Sequence, residues 1–261
     1  MLATGNQIVL ILLLFFSVSV VSSFVRVDAV RSSSSTSPTP QGSSTTTLFA
    51  ERTTSRRPWN IVRFFQQSSR FVSPFPSTTQ KKKIAAGDII WKAGAAASSN
   101  DFTLAPLDDV VMGGASSSTF DAATGKWTGE VTDANNGGFI GIRSTPFVEY
   151  DMSKCTGIQL KVTPGDRKAL RLKVVIRDST DFNGIGWTTS VDIDGKGSTV
   201  KIPFKKQVPT RFAQTVSGAS FGADRVRGVQ LVFSKFEYDG ALNPKFRSGD
   251  FSLQVEEVRT Y

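Results

Sequence analysis

The chain predicts an all-β fold, an antiparallel β-sandwich of about eight strands, and three observations carry that reading. From Gly87 onward apolar residues alternate with polar ones, as in Ile158, Leu160 and Val162 around Gln159 and Lys161. Leu170, Leu172, Val174 and Ile176 repeat the pattern around Arg171, Lys173 and Val175. The runs are separated by Gly, Pro, Asp and Asn, and no stretch longer than a turn or two repeats with helical spacing. Alternation puts successive side chains on opposite faces, so each sheet has one dry and one wet face.

Taken in order, the strands are Lys126 to Thr132, Phe139 to Arg143, and the runs through Ile158 and Leu170. Trp187, Thr189, Val191 and Ile193 follow, then Val200, Ile202 and Phe204, then Val229, Leu231 and Phe233, and last Phe251, Leu253 and Val255. Thr163-Pro164-Gly165-Asp166 and Asp194-Gly195-Lys196-Gly197 have the composition of hairpin turns. Some eighteen large apolar side chains, at roughly 1.5 to 3 kcal/mol each, suffice for one core.

Composition divides the 261 residues unevenly. Residues 1–23 hold no charged side chain and contain the apolar run Ile8 to Val21, followed by Ser22-Ser23, which reads as a signal peptide. Residues 24–87 are rich in Ser, Thr, Pro and Arg and carry ten basic residues against Asp28 and Glu51, a net +8. Such a segment buries too little apolar surface to offset the entropy of ordering, so it reads as a disordered, transit-peptide-like leader and linker. Trp59 to Phe75, with Phe64, Phe65, Phe71 and Phe75, is left open as a short amphipathic piece. A signal peptide followed at Phe24 by a transit-like stretch resembles the bipartite presequences of algae with secondary plastids. The expected address is therefore the plastid, with the mitochondrion or secretion as alternatives, and the mature protein is expected to lack a transmembrane helix. Residues 88–261 form the folded domain and hold 21 of the 31 basic and 20 of the 22 acidic residues, so they are nearly neutral at +1. The basic balance thus belongs to the leader, and the domain gives no sign of a nucleic-acid partner.

The chain has no histidine and one cysteine, Cys155. Ser-His and Cys-His nucleophile pairs, His-based general bases and His/Cys zinc sites are thereby excluded. Cys155 reads as a small, partly buried apolar side chain. Gly184-Ile185-Gly186, Gly195-Lys196-Gly197-Ser198-Thr199 and Asp192-Ile193-Asp194-Gly195 imitate dinucleotide, phosphate and calcium loops but fail the spacings those loops need, and read as turns. No catalytic residue, cofactor or metal is expected, and the protein reads as a non-enzyme.

Two stretches draw attention as a pair: Asp108 to Ser116, and Asn135-Asn136-Gly137-Gly138-Phe139. Each reads as an extended run broken by two glycines, where backbone can turn with positive φ or approach a neighbour closely. Asp109 reads as a structural cornerstone, because a buried carboxylate must be met by N–H groups or by an arginine, with Arg143 the candidate tie. A third stretch leaves a strand at Phe233 and forms a loop. Its Phe236, Tyr238, Asp239 and Asn243 read either as a partner-binding surface or as a loop packing its own aromatics.

The motif Asp109-Val110-Val111-Met112-Gly113-Gly114-Ala115-Ser116, then Gly129, Asn136-Gly137-Gly138-Phe139 with Arg143, Gly157-Ile158, Gly165-Asp166 and Ile202-Pro203-Phe204 resembles the complex I intermediate-associated protein 30 domain from about Trp91 to Tyr261. The resemblance implies a galactose-binding-like jelly-roll sandwich. It also implies an assembly factor or chaperone-like scaffold that binds protein subunits or other assembly factors of an organellar membrane complex. That complex would be respiratory complex I in the mitochondrion or photosystem II in the plastid. Ser234 to Gly240 with Leu242-Asn243-Pro244 looks closer to the plastid version, which is fused to a dehydrogenase-like domain; that domain is lacking here, and roles that depend on it are not carried over. Trp127 in place of a Phe, and Lys168-Ala169-Leu170 in place of Arg-x-Tyr, depart from the family pattern. The alternative reading of function is a carbohydrate-binding module, from the sandwich and the Phe236 to Asp239 loop.

Overall fold

The computed structural model describes residues 56–71, 81–95, 102–145, 149–165, 167 and 169–261. The expected signal peptide and the leader up to residue 55 lie outside the described residues. Among the described residues a single α-helix, α1 (Ile61–Ser68), precedes the strands β1 (Lys81–Lys83), β2 (Ile89–Lys92), β3 (Thr103–Pro106), β4 (Ser117–Asp121) and β5 (Lys126–Val131). Next come β6 (Phe139–Thr145), β7 (Glu149–Asp151), β8 (Gly157–Pro164), β9 (Ala169–Arg177) and β10 (Gly186–Asp194). The chain ends through β11 (Ser198–Pro203), β12 (Val208–Arg211), β13 (Gln214–Thr215), β14 (Gly228–Ser234) and β15 (Gly249–Thr260).

Alternation becomes two sheets packed face to face. One has the order β13-β12-β10-β9-β14-β6-β3, and the other β11-β8-β15-β5-β4 with β2 also paired to β15. All neighbours within these two sheets are antiparallel. A small parallel ribbon joins β1 to β7. Leu170, Leu172, Val174 and Ile176 of β9 and Ile158, Leu160 and Val162 of β8 lie fully buried between the sheets. Register pairs Leu172 with Val191 and Ile176 with Trp187, which keeps the apolar rows of β9 and β10 on the same face. Trp127 is closed off by Phe251, the rings 4.7 Å apart and edge-on. The result is the all-β sandwich that the alternation predicts, in the two-sheet form implied for a galactose-binding-like jelly roll.

Three expectations need correction. Fifteen strands are present among the described residues rather than about eight, because β1 to β4, β7, β12 and β13 have two to five residues each, too few to display a period. The hairpins expected after β8 and after β10 do not join neighbours of one sheet, because β8 and β9 lie in different sheets, as do β10 and β11; Asp166 of the first lies outside the described residues. Asp109–Met112 and Ala134–Asn136 are short 3-10 turns, not extended runs.

Residues 56–71 are ordered rather than linker, and the open alternative of a short amphipathic piece is the one that fits them. Asn60 caps α1 by accepting the Arg63 N–H at 2.9 Å. Phe64 and Phe71 are buried with Ala105, Leu107, Val110 and Val111, in a second apolar cluster separate from the main core. This cluster covers the outward face of the seven-stranded sheet at its β6–β3 edge, where Ala105 pairs with Arg143.

Candidate functional site

The paired stretches converge on two buried carboxylates. Asp109 is 1 % exposed and accepts four hydrogen bonds: from Ser116 N at 2.8 Å to Oδ1, and to Oδ2 from Ser116 Oγ at 2.7 Å, Gly138 N at 2.7 Å and Phe139 N at 3.2 Å. The glycines make this possible in two ways. Gly113 and Gly138 take positive φ values of 91° and 127°, which side chains resist. A Cβ on Gly114 would lie 2.3 Å from Asp109 Cγ, and one on Gly137 would lie 2.4 Å from Oδ2. The carboxylate occupies the room that two missing side chains leave.

Asp108, wholly buried, ties the same crossing to two more elements. It accepts from Ser118 Oγ at 2.6 Å, Ser118 N at 2.7 Å, Gly141 N at 3.3 Å and Gln67 Nε2 at 2.8 Å, while its own N–H donates to Gln67 Oε1 at 2.8 Å. Burial pushes the Asp108 carboxyl up from its usual range, against the hydrogen bonds from Ser118, Gln67 and Gly141, which favour the charged form.

Asp109 and Arg143 are not a pair. The Asp109 oxygens are taken by backbone amides and Ser116. The Arg143 guanidinium, buried at 2 % exposure, sits 5.5 Å from the ring centroid of Phe71 and 5.4 Å from that of Phe182. Burial and the nearby charge of Arg177 push its pKa down, and the two ring faces partly offset the lost hydration. Asn136 with φ 58° turns the chain, Phe139 opens β6, and Met112 is exposed. The crossing therefore has the anatomy of a structural knot, with both carboxylates consumed internally.

The loop from Phe236 to Asn243 is built differently. Tyr238 OH lies 2.9 Å from Ser190 Oγ, and Glu237 bonds the same hydroxyl. Burial raises the Tyr238 phenol, partly opposed by Ser190. Asp239, at φ 53°, accepts from Thr215 N at 2.7 Å and Thr215 Oγ1 at 2.6 Å, bonds that lower its pKa, and its N–H donates to Ala213 O at 2.9 Å. Asn243 Nδ2 donates to Ser234 O at 2.9 Å and Arg171 O at 3.1 Å. Lys173 holds the loop from below, its Nζ donating to Phe236 O at 2.7 Å; burial brings it down to about 8, against the pull of Glu237. Alongside, Arg171 hydrogen bonds hold Asp192 at about 2.

Of the four residues expected on this surface, Phe236 and Asp239 are exposed, Tyr238 is half-buried and Asn243 is buried; Tyr238, Asp239 and Asn243 all brace the loop. Two further exposed apolar residues that sequence reasoning missed lie on this loop or on the segment bonded to it: Leu242, which bridges Phe236, and Phe212, which precedes the Ala213 that bonds Asp239. Phe212 sits at φ 50°, a left-handed conformation that a bulky side chain adopts only when the surroundings impose it. No local sequence signal marks it. Cys155 is half-buried against Ile84 O, and burial raises its thiol, so it is a poor nucleophile.

The two antiparallel sheets, closed by a buried Asp–Gly crossing, define the described residues of 81–261 as an all-β sandwich. The chain belongs to the Complex I intermediate-associated protein 30 (CIA30) family, whose sequence pattern matches residues 95–255. That family is associated with complex I assembly and is an assembly-factor family rather than a known enzyme family. No curated protein sequence matches the chain. Among solved structures, the chain is similar to a family 11 carbohydrate-binding module from Clostridium thermocellum in complex with a mixed-linked tetrasaccharide, at 15 % identity and TM-score 0.41, covering 61 % of this chain and 88 % of that one. It is also similar to the family 11 module of the cellulase Lic26A-Cel5E of the same organism (14 % identity, TM-score 0.44, 68 % and 96 % covered) and to the agarase AgWH50C (9 % identity, TM-score 0.41, 66 % and 26 % covered).

Proposed function

We propose that the protein is a non-enzymatic assembly factor that holds a protein subunit, or a second assembly factor, of an organellar membrane complex on the loop end formed by Phe236, Leu242 and Phe212. The observation that carries this reading is an exposed apolar patch on a braced support. Phe236 is 40 %, Leu242 64 % and Phe212 59 % exposed, while hydrogen bonds from Thr215, Ser190, Lys173 and Asn243 fix the loop beneath them. Rigid aromatic anchors lose little entropy on binding, which is what a protein-docking site needs. A carbohydrate site would draw on several convergent polar groups, but Tyr238 and Asn243 are turned to Ser190 and Ser234 and only the exposed Asp239, itself bonded to Thr215, faces out, so the protein-binding reading is favoured.

The leader directs the protein to the plastid, with complex I in the mitochondrion as the other destination, and its removal falls upstream of Arg57. The support for that boundary is the set of contacts made by residues 57–71: Arg57 with Asn135, Trp59 Nε1 with Val110 O at 2.9 Å, and Gln67 with Asp108. Affinity isolation from the organelle, comparing wild type with a Phe236→Ser/Leu242→Ser variant, tests the reading. Wild type is expected to carry down subunits of one photosynthetic or respiratory complex and the variant to lose them; equal recovery by both would overturn the assignment of this surface.

A further inference from the structure

The segment 56–71 contains Arg56, Arg57, Arg63 and Arg70 and no acidic residue. Its inner side is spent on Phe64, Gln67 and Phe71. Its outer side leaves Trp59 42 %, Ile61 49 % and Val62 62 % exposed, and Met112 joins them at 57 %. These four belong to one surface. Trp59 Nε1 donates to Val110 O, two residues before Met112, and Asn135 Nδ2 bridges Arg57 O at 2.9 Å and Gly113 O at 3.2 Å. The indole N–H is therefore satisfied inside, and the apolar part of the ring is what faces out.

We propose that this outward face of α1, with Met112 beside it, docks the protein on an anionic bilayer surface. An apolar strip containing Trp, with Arg56 and Arg70 in the same acid-free segment and Arg63 turned to Ser118 O, matches the headgroup boundary: the apolar side chains enter the acyl edge and Arg56 and Arg70 meet phosphates. The ion pair between Arg57 of the strip and Glu130, at 3.0 Å, is exposed and solvent-screened. A protein partner bearing acidic residues is the competing occupant. Lipid is favoured because the apolar groups come from the first turn of one short helix, from Trp59 just ahead of its cap and from the turn that ends at Met112, so that they form one shallow strip rather than a pocket. This face is separate from the Phe236–Leu242 patch, so either assignment can fail alone.

The test uses residues 51–261, the span of the compact unit that holds every described residue, so that the apolar run at Ile8 to Val21 does not itself bind lipid. Co-sedimentation with phosphatidylglycerol-containing vesicles is expected to exceed that with pure phosphatidylcholine by about tenfold or more and to weaken as salt is raised. Ile61→Ser/Val62→Ser and Arg56→Glu/Arg70→Glu are each expected to lower binding several-fold without moving the melting temperature, whereas Phe236→Ser/Leu242→Ser is expected to bind vesicles as wild type does. Absence of binding to anionic vesicles, or binding unchanged in both face variants, overturns the proposal. Retention on polyglutamate without binding to anionic vesicles overturns it in favour of an acidic protein partner.

Discussion

Gln67 and Asp108 hold each other with both ends of one amide: Gln67 Nε2 donates to the Asp108 carboxylate and Gln67 Oε1 accepts the Asp108 N–H, each at 2.8 Å and buried from water. This pair fastens the only described α-helix to the residue that precedes the family motif. Replacing Gln67 with Ala strands the buried Asp108 N–H and removes one of the two donors to its Oδ2, which keeps Ser118 N, with an expected loss of about 1 to 3 kcal/mol. A thermal melt of the variant checks it. A chain beginning at Lys81 is expected to melt lower still, because Phe64 and Phe71 leave the apolar cluster with it.

Asp109 organises the other half of the crossing. Asp109→Ala leaves the amides of Ser116, Gly138 and Phe139 without their acceptor, for an expected loss of about 3 kcal/mol or more, seen as lower soluble yield and an earlier denaturant midpoint. Gly114→Ala is expected to destabilise by about 1 to 3 kcal/mol, since its Cβ would overlap the Asp109 carboxylate.

Much of this architecture is legible in the amino-acid sequence. The rows through Ile158, Leu170, Trp187 and Val229 can be read because long, half-buried strands repeat their pattern often enough to be counted. The role of Asp109 as a cornerstone also follows from the cost of burying a carboxylate. Its partners do not, because the backbone amides of Gly138 and Phe139 carry no signature in a sequence. Arg143 has the charge expected of the tie, yet two rings that it faces, Phe71 and Phe182, come from parts of the chain that no local pattern connects to it. Helix α1 falls inside the Trp59 to Phe75 stretch left open as a short amphipathic piece, and the sequence does not fix it because its buried side includes Gln67 and its surroundings are arginine and serine.

Lys173 gives the protein a pH signature. Its folded pKa of about 8 lies below the ordinary 10.5, so between those values the unfolded chain binds more protons and stability rises with pH. Relative to a Lys173→Met variant, wild type is expected to gain on the order of 1 kcal/mol from pH 8 to 10, after allowing for screening. Melting curves of both proteins across that range check the sign.

In the proposed function, the braced Phe236–Leu242–Phe212 surface carries assembly work by binding protein. Because these side chains are exposed, Phe236→Ser/Leu242→Ser is expected to stay within about 0.5 kcal/mol of wild type in stability. Complementation of cells lacking the protein is the most direct measurement. The variant is expected to accumulate at normal levels yet fail to restore assembly of the client membrane complex. Full restoration by a stable, correctly located variant would contradict the assignment.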